Sequence, residues 1–251
     1  MSFKPNKNLD AYLKDLEDLG FERTQEMMRF KKIKEIISLL DLPNDQSIIE
    51  VGPGYKSLFT DLLLKNPKIV IEPIEVLLER NRVLLQSVDQ VKFYVSTIEE
   101  FRLDSAEKSC LIIMSSNLHE FIDTDEALKS CYKSLSKNGK ILIVVPNQNS
   151  LHRILGVRLG IQKKINTLTD TEKRMQQYRS YSISSLRKEV VRAGFEVESV
   201  ETNFIKPLNH AQMKELQDRK ILTAPNLEFL YQISPYLPGL GSEIFLVATK
   251  K

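Results

Sequence analysis

Cysteine is scarce: the 251 residues hold only Cys110 and Cys131. One lies in an apolar strand-like run and the other in a helix-like run, and neither belongs to a CxxC or other metal-spaced set, so both are expected as buried reduced thiols. Long apolar runs are also missing. The amino-terminal stretch "MSFKPNKNLDAYLKDLEDLGF" has no signal-peptide core and no uncharged run approaches the length of a membrane span, which predicts a cytoplasmic protein that does not enter the membrane. Charge of one sign is not in excess either. Lys plus Arg number 36 against 33 Asp plus Glu, and a net charge of +3 argues against nucleic acid or an acidic membrane as the main partner. With no repeats and no low-complexity tract, a chain that is 42% hydrophobic and 27% charged has the composition of one large α/β domain.

Apolar periodicity organises the chain. "FERTQEMMRFKKIKEIISLL", residues 21–40, carries apolar positions at helical spacing and predicts an amphipathic leading helix, so that residues 1–44 form a helical cap. Short β-rich runs follow at 47–51, 68–72, 91–95, 110–115 and 140–145. Between them "SLFTDLLLK", "IEVLLERNRVLLQ" and "DTDEALKSCYKSLSKNG" read as crossover helices, the last with Asp123 as N-cap and Gly139 just past its end. This alternation is the sign of a Rossmann-like, doubly wound, mostly parallel sheet. After Pro146 it breaks. Residues 150–180 hold no convincing strand, "SISSLRKEVVRAGF" resumes as a helix, and "FEVESVETNFI" and "EIFLVATKK" predict an antiparallel pair at one sheet edge. The expectation is a seven-stranded domain over 45–251, with helical lid insertions at about 150–180 and 206–240.

The stretch "SIIEVGPGYKSLF", residues 47–59, carries the chemistry. Gly52 and Gly54 remove Cβ atoms where the chain must turn and a ligand approach, Pro53 stiffens the turn, and N–H groups from Tyr55 onward offer a polar site. An ordinary strand-to-helix turn could carry the same glycines. Glu72, however, ends the second strand at the distance expected of an acid that accepts hydrogen bonds from ribose hydroxyls, with Pro73 after it. Glu50 before the turn suits a ligand bearing an amino or sulfonium cation and opposes a pyrophosphate. Ser57 stands where a dinucleotide turn often has its third glycine.

On these residues, "EVGPGY" followed by "IEP" resembles motif I and the ribose acid of the class I S-adenosylmethionine-dependent methyltransferases. The resemblance runs from about residue 45 to 251. It implies that "STIEEF" flanks the adenine through Thr97 and Ile98, with Thr97 where many members have an acid. It also implies that Ser115 and Asn117 border the cofactor after the fourth strand, and that "LSKNGK" is an altered form of the loop before the fifth. "VPNQNSLHR" and "FIKPLNHAQM" are similar to a narrower group acting on small polar, sugar-like or capsule-precursor acceptors.

Ligands of open parallel sheets bind beyond the carboxyl ends of the strands, which places the acceptor at "SSNLHEF" and "PNQNSLHR". His119 is the candidate general base, with Glu120 to orient it; imidazole has an ordinary pKa suited to that task. A capping or interface histidine is the plainer alternative. Asn147, His152, Arg153 and His210 are candidate acceptor contacts, and Tyr178, Arg179 and Tyr181 candidate lid residues. Between Leu151 and Arg192 ten basic residues face three acidic ones, which suits an anionic acceptor such as a phosphorylated or nucleotide-linked sugar or a phosphoramidate, or else forms a solvated face. No metal is expected, since His119 and Glu120 are adjacent and the acidic cluster of a magnesium-dependent transferase is not visible. The partner is a small molecule, with a homodimer left open. Competing readings are an NAD-dependent oxidoreductase on the same sheet and a non-catalytic S-adenosylmethionine-binding protein.

Overall fold

The computed structural model describes residues 20–103, 107–169 and 177–251, together with Leu13, Glu172, Lys173 and Met175. Its elements run in the order α1 (Glu22–Ser38), β1 (Ser47–Val51), β2 (Lys68–Ile71), α2 (Glu75–Leu84), β3 (Val91–Tyr94), β4 (Ser109–Ser115), α3 (Thr124–Ser134), β5 (Leu135–Pro146), α4 (Leu151–Arg158), α5 (Ile183–Arg192), β6 (Phe195–Asn203), α6 (His210–Asp218), α7 (Ala224–Gln232) and β7 (Glu243–Lys250). The seven strands form one sheet in the order β3-β2-β1-β4-β5-β7-β6. β1 to β5 are parallel, while β7 runs antiparallel to both β5 and β6, as the late strands predict.

Side chains that alternate along a strand supply the two faces of this sheet. Ile49, Val51, Ile112, Met114, Ile141 and Ile143 enter one core with Leu128 and Leu186, whereas Ile48, Leu111, Ile113, Leu142 and Val144 enter the other with Ile33 and Ile37 of α1. A smaller cluster joins Phe21, Phe204, Met213, Leu227 and Tyr231, which fixes α6 and α7 against the start of α1.

Three expectations are corrected. "SLFTDLLLK" forms only a 3-10 turn, Leu58–Thr60, and no crossover helix. Ser57 caps this turn, its Oγ accepting from Phe59 N, Thr60 Oγ1 donates back to Ser57 O, and Asn66 Nδ2 beyond it donates to Pro43 O and Gln46 O, tying the segment to the loop before β1. Gly139 is not a helix terminator, because α3 ends at Ser134 and β5 begins directly, five residues before the apolar run; Asp123 does cap α3, accepting from Glu126 N. α1 is amphipathic only in its second half. Its first turns bury Thr24, Gln25 and Arg29.

The antiparallel strand brings Glu243 opposite Pro146 and Asn203, so the start of β7 lies at the carboxyl end of β5. Gly241 precedes it in close contact with β6: a Cβ there would stand 2.5 Å from Asn203 N. That neighbour is backbone and cannot rotate away. Gly241→Ala is therefore expected to lower stability by about 1–3 kcal/mol or more, read as an earlier midpoint in urea unfolding.

Candidate active site

The turn after β1 is held from two sides. Strand alternation turns Glu50 to the face shared with Ile48, where its carboxylate accepts from Ser57 Oγ and from Leu58 N at 3.0 Å. From α2, Asn81 Oδ1 accepts from Ser57 N at 2.7 Å, and its Nδ2 donates to Gly54 O at 2.8 Å. Gly52 and Gly54 take positive φ of 58° and 61°, and a Cβ on Gly52 would stand 2.7 Å from the Asn117 amide. The dihedrals favour glycine at both positions, and at Gly52 a Cβ would also displace the Asn117 side chain. Ser57 replaces a third glycine because its hydroxyl serves Glu50 and Phe59 at once.

Beside this turn opens a cavity of about 340 Å³. Gly52, Gly54, Glu72, Pro73, Thr97, Ile98, Asn117, Glu120 and Tyr178 line it, as the sequence anticipates, and so do Ile74, Glu99, Asp123 and Glu126, which it did not single out. Glu72 accepts from Gly54 N at 3.1 Å and Ile74 N at 3.0 Å, and these bonds aim its carboxylate beside the turn. Burial lifts its pKa to about 7 against the opposing pull of those two N–H groups. Glu99 stands two residues past Thr97, within the same "STIEEF"; burial raises its pKa, and its Oε2 is buried without a partner among the described residues. Asn117 Nδ2 donates to Val51 O and Gly52 O, while its Oδ1 is unpartnered.

Several expected cofactor contacts lie outside the cavity lining. Glu50 stands behind the turn, where burial again raises its pKa to about 7, so the expected cation partner is instead a brace for the loop. The Tyr55 ring lies under the Arg80 guanidinium, 3.7 Å from its centroid. Pro53 and Ser115 are likewise absent from the lining. Among the described residues, the charged side chains at the cavity are five carboxylates, Glu72, Glu99, Glu120, Asp123 and Glu126, and none is basic. Such a wall favours a cationic ligand and repels a pyrophosphate.

His119 and Glu120 sit in a 3-10 turn after β4, with His119 O accepting from Tyr178 N at 2.9 Å. Glu120 faces the cavity. The His119 ring is buried and lies away from that lining, its Nε2 3.8 Å from Glu120 Oε1 and its Nδ1 unpartnered among the described residues. Burial, then the positive charge of Arg29, push its pKa down to about 3. The imidazole is neutral at physiological pH, well below the near-neutral pKa expected of a free histidine.

The remaining acceptor candidates divide. Arg153 is buried and pairs with Glu172; among the described residues its Nη1 and His152 Nδ1 have no partner, and burial with Lys206 nearby lowers the His152 pKa to about 2. His210 Nε2 lies 3.1 Å from Gln25 Oε1, on α1. The others are structural. Asn147 is committed to Gly239 O, Gly241 O and Asn149 N. Arg179 binds Thr124 Oγ1, Phe121 O and Ile122 O, and Tyr181 is packed in the core beside Leu186. Of the basic residues between 151 and 192, Arg158, Lys163, Lys164, Lys173, Arg187, Lys188 and Arg192 are exposed, and Arg174 and Asp170 lie outside the described residues. Among the described residues that excess is a solvated face apart from Arg153 and Arg179.

Comparison with known proteins agrees with this geometry. The family model described as "Methyltransferase domain" matches residues 23–200, well over half of the chain. The chain belongs to that family of S-adenosylmethionine-dependent methyltransferases. Its fold is similar to an S-adenosylmethionine-dependent methyltransferase of Mesorhizobium loti (14% identity, 86% of this chain and 96% of that one, TM-score 0.58). It is also similar to a Thermotoga maritima methyltransferase described as a possible histamine N-methyltransferase (21%, 96% and 98%, 0.58). Phosphoethanolamine N-methyltransferase 2 of Haemonchus contortus, solved with phosphomonomethylethanolamine and S-adenosylhomocysteine, matches at 16% over 86% of this chain and 51% of its own, with a TM-score of 0.57. No curated protein matches the sequence. The acid-lined cavity fits S-adenosylmethionine, whose sulfonium and amino groups are cations, and leaves the NAD reading without support.

Two outcomes follow for Glu72. Glu72→Ala is expected to weaken S-adenosylhomocysteine binding about 10- to 100-fold, as loss of hydrogen bonds to a charged group implies (roughly 1.5–3 kcal/mol), measured by calorimetry. Ribose hydroxyls donate to the ionised carboxylate, so affinity in the unmodified protein should be lost as pH falls through about 7 and regained above it. Glu72→Gln should flatten that profile.

Proposed function

We propose that the protein transfers a methyl group from S-adenosylmethionine to an oxygen of a small polar acceptor that carries negative charge. The observation that carries this reading is the pairing of an acid-lined cavity, which Glu120 enters, with His119 buried behind that lining and Arg153 buried with it. The cofactor supplies an electrophilic methyl on sulfur. His119, with Nδ1 unpartnered among the described residues, would take the acceptor's hydroxyl proton as that oxygen bonds to the methyl carbon and the methyl–sulfur bond breaks to release S-adenosylhomocysteine, and Glu120, 3.8 Å away, would stabilise the resulting imidazolium. Suitable acceptors are phosphorylated or nucleotide-linked sugars and phosphoramidate capsule precursors. Asn147, Arg179 and Tyr181 serve this site by bracing its loops.

Glu120, Asp123 and Glu126 at the cavity favour a second reading, a cationic amine acceptor and N-methylation. That reading accords with the amine-methylating activities named for the Thermotoga and Haemonchus proteins.

Turnover on a panel of phosphosugars, nucleotide sugars and amines separates the two. His119→Asn is expected to cut kcat about 10²- to 10³-fold on a hydroxyl acceptor with S-adenosylhomocysteine affinity unchanged. Full turnover in that variant would remove His119 as base, and turnover on amines alone would replace oxygen by nitrogen. S-adenosylhomocysteine binding with no turnover across the panel would favour a binding protein.

A further inference from the structure

Next to His119, and away from the cofactor cavity, lies a second polar cluster. The topology collects it from five places: Glu22, Gln25 and Arg29 on α1, His152 and Arg153 on α4, Lys206 after β6, His210 at the start of α6, and Glu243 at the start of β7. Arg29 Nε donates to Glu243 at 2.6 Å and Nη2 to Glu22 at 2.5 Å. Gln25 Oε1 receives Lys206 Nζ at 2.9 Å and lies 3.1 Å from His210 Nε2.

The hydrogen bonds left open in this cluster are of one kind. Its carboxylates are occupied, Glu22 and Glu243 by Arg29 and Glu172 by Arg153. Two of its cations keep donors unmatched by a carboxylate. Among the described residues Arg153, 8% exposed, has Nη1 buried without a partner, and Lys206, 3% exposed, makes its one hydrogen bond to the neutral Gln25 amide. His152 Nδ1, donor or acceptor according to the tautomer, has no partner among the described residues either. A buried donor left unsatisfied costs about 1–3 kcal/mol, so a concentration of them beside a catalytic candidate marks a place completed by acceptor oxygens.

We propose that Arg153, Lys206 and His152 form the subsite that binds an oxyanion of the acceptor, a carboxylate or a phosphate, beneath the polar first turns of α1. This rests on the methyltransferase reading and specifies where that enzyme holds its substrate. Entry lies at the margin where the side chains of His210 and Glu22 keep 42% and 30% exposure. The bound oxyanion would also offset Arg153 and Arg29, the two cations that depress the basicity of His119, and so make the base stronger when substrate is present.

The test uses the full chain saturated with S-adenosylhomocysteine, titrated at constant ionic strength with inorganic phosphate, acetate or choline and followed by thermal unfolding and calorimetry. A saturable rise in Tm with phosphate or acetate, absent with choline, is expected, and whichever anion acts at lower concentration identifies the group. Lys206→Met and Arg153→Met should each weaken that response at least tenfold, with S-adenosylhomocysteine affinity within twofold of the unmodified protein, and Lys206→Arg should restore part of it. Circular dichroism identifies a variant that fails to fold, in which case Lys206→Arg and His152→Ala carry the comparison. No anion response, a response kept in both methionine variants, or one elicited by choline instead would overturn the subsite. Failure of the unmodified protein to bind S-adenosylhomocysteine at all would overturn the methyltransferase reading, independently of the anion result.

Discussion

The buried guanidinium of Arg29 organises the acceptor side of this molecule. Placed between Glu22 on its own helix and Glu243 at the head of β7, it ties the leading helix to the one strand that runs against the others. Burial raises the Glu243 pKa despite Arg29, whereas on Glu22 burial, the largest single influence, is outweighed by Arg29, His210 and Lys206 together, and the pKa falls. Removing one member of such a group leaves charge stranded in a low-dielectric interior, at a cost of about 3–5 kcal/mol. The first turns of α1 are thereby fixed over the carboxyl end of the sheet, and Gln25, His210 and Lys206 gather around that anchor.

The donor side follows a different logic. There the backbone does the positioning: two glycines with positive φ turn the chain, and Glu50 and Asn81 grip the turn from opposite faces. The carboxylates at the cavity then supply the field. Burial lifts the pKa of both Glu72 and Glu50 to about 7, and a cationic ligand beside Glu72 would favour its ionised form. His119 and Glu120 stand between the two sides, one residue facing each.

How much of this was legible depended on range. Glu72 was found because its distance from the glycine turn is fixed by one strand–turn–strand unit, and the antiparallel edge because two strands came without a helix between them. Glu50 was found for the wrong reason: its position marks the motif, but strand alternation turns it behind the loop. The false helix at "SLFTDLLLK" came from reading leucines by period, where the segment forms only one capped turn and Asn66 ties its far end to the loop before β1. Glu99 was within reach, since it stands two residues from the absent acid at Thr97. Gln25, Arg29, Lys206 and Glu243 were not, because nothing local distinguishes a buried polar residue on a helix from a solvated one until the fold brings α1, β6 and β7 together.

The strand order divides the molecule in a way that bears on its history. Everything that lines the cofactor cavity, save Tyr178, lies between Val51 and Glu126, while most of the second polar cluster comes from the leading helix and from residues past Pro146. The antiparallel β7 is what allows a late segment to return to the same end of the sheet. On the proposed assignment of that cluster to the acceptor, substitutions that retune the choice of recipient would accumulate in one part of the chain while the part that grips the donor stayed untouched, so a single scaffold would diversify its chemistry without rebuilding its source of methyl groups.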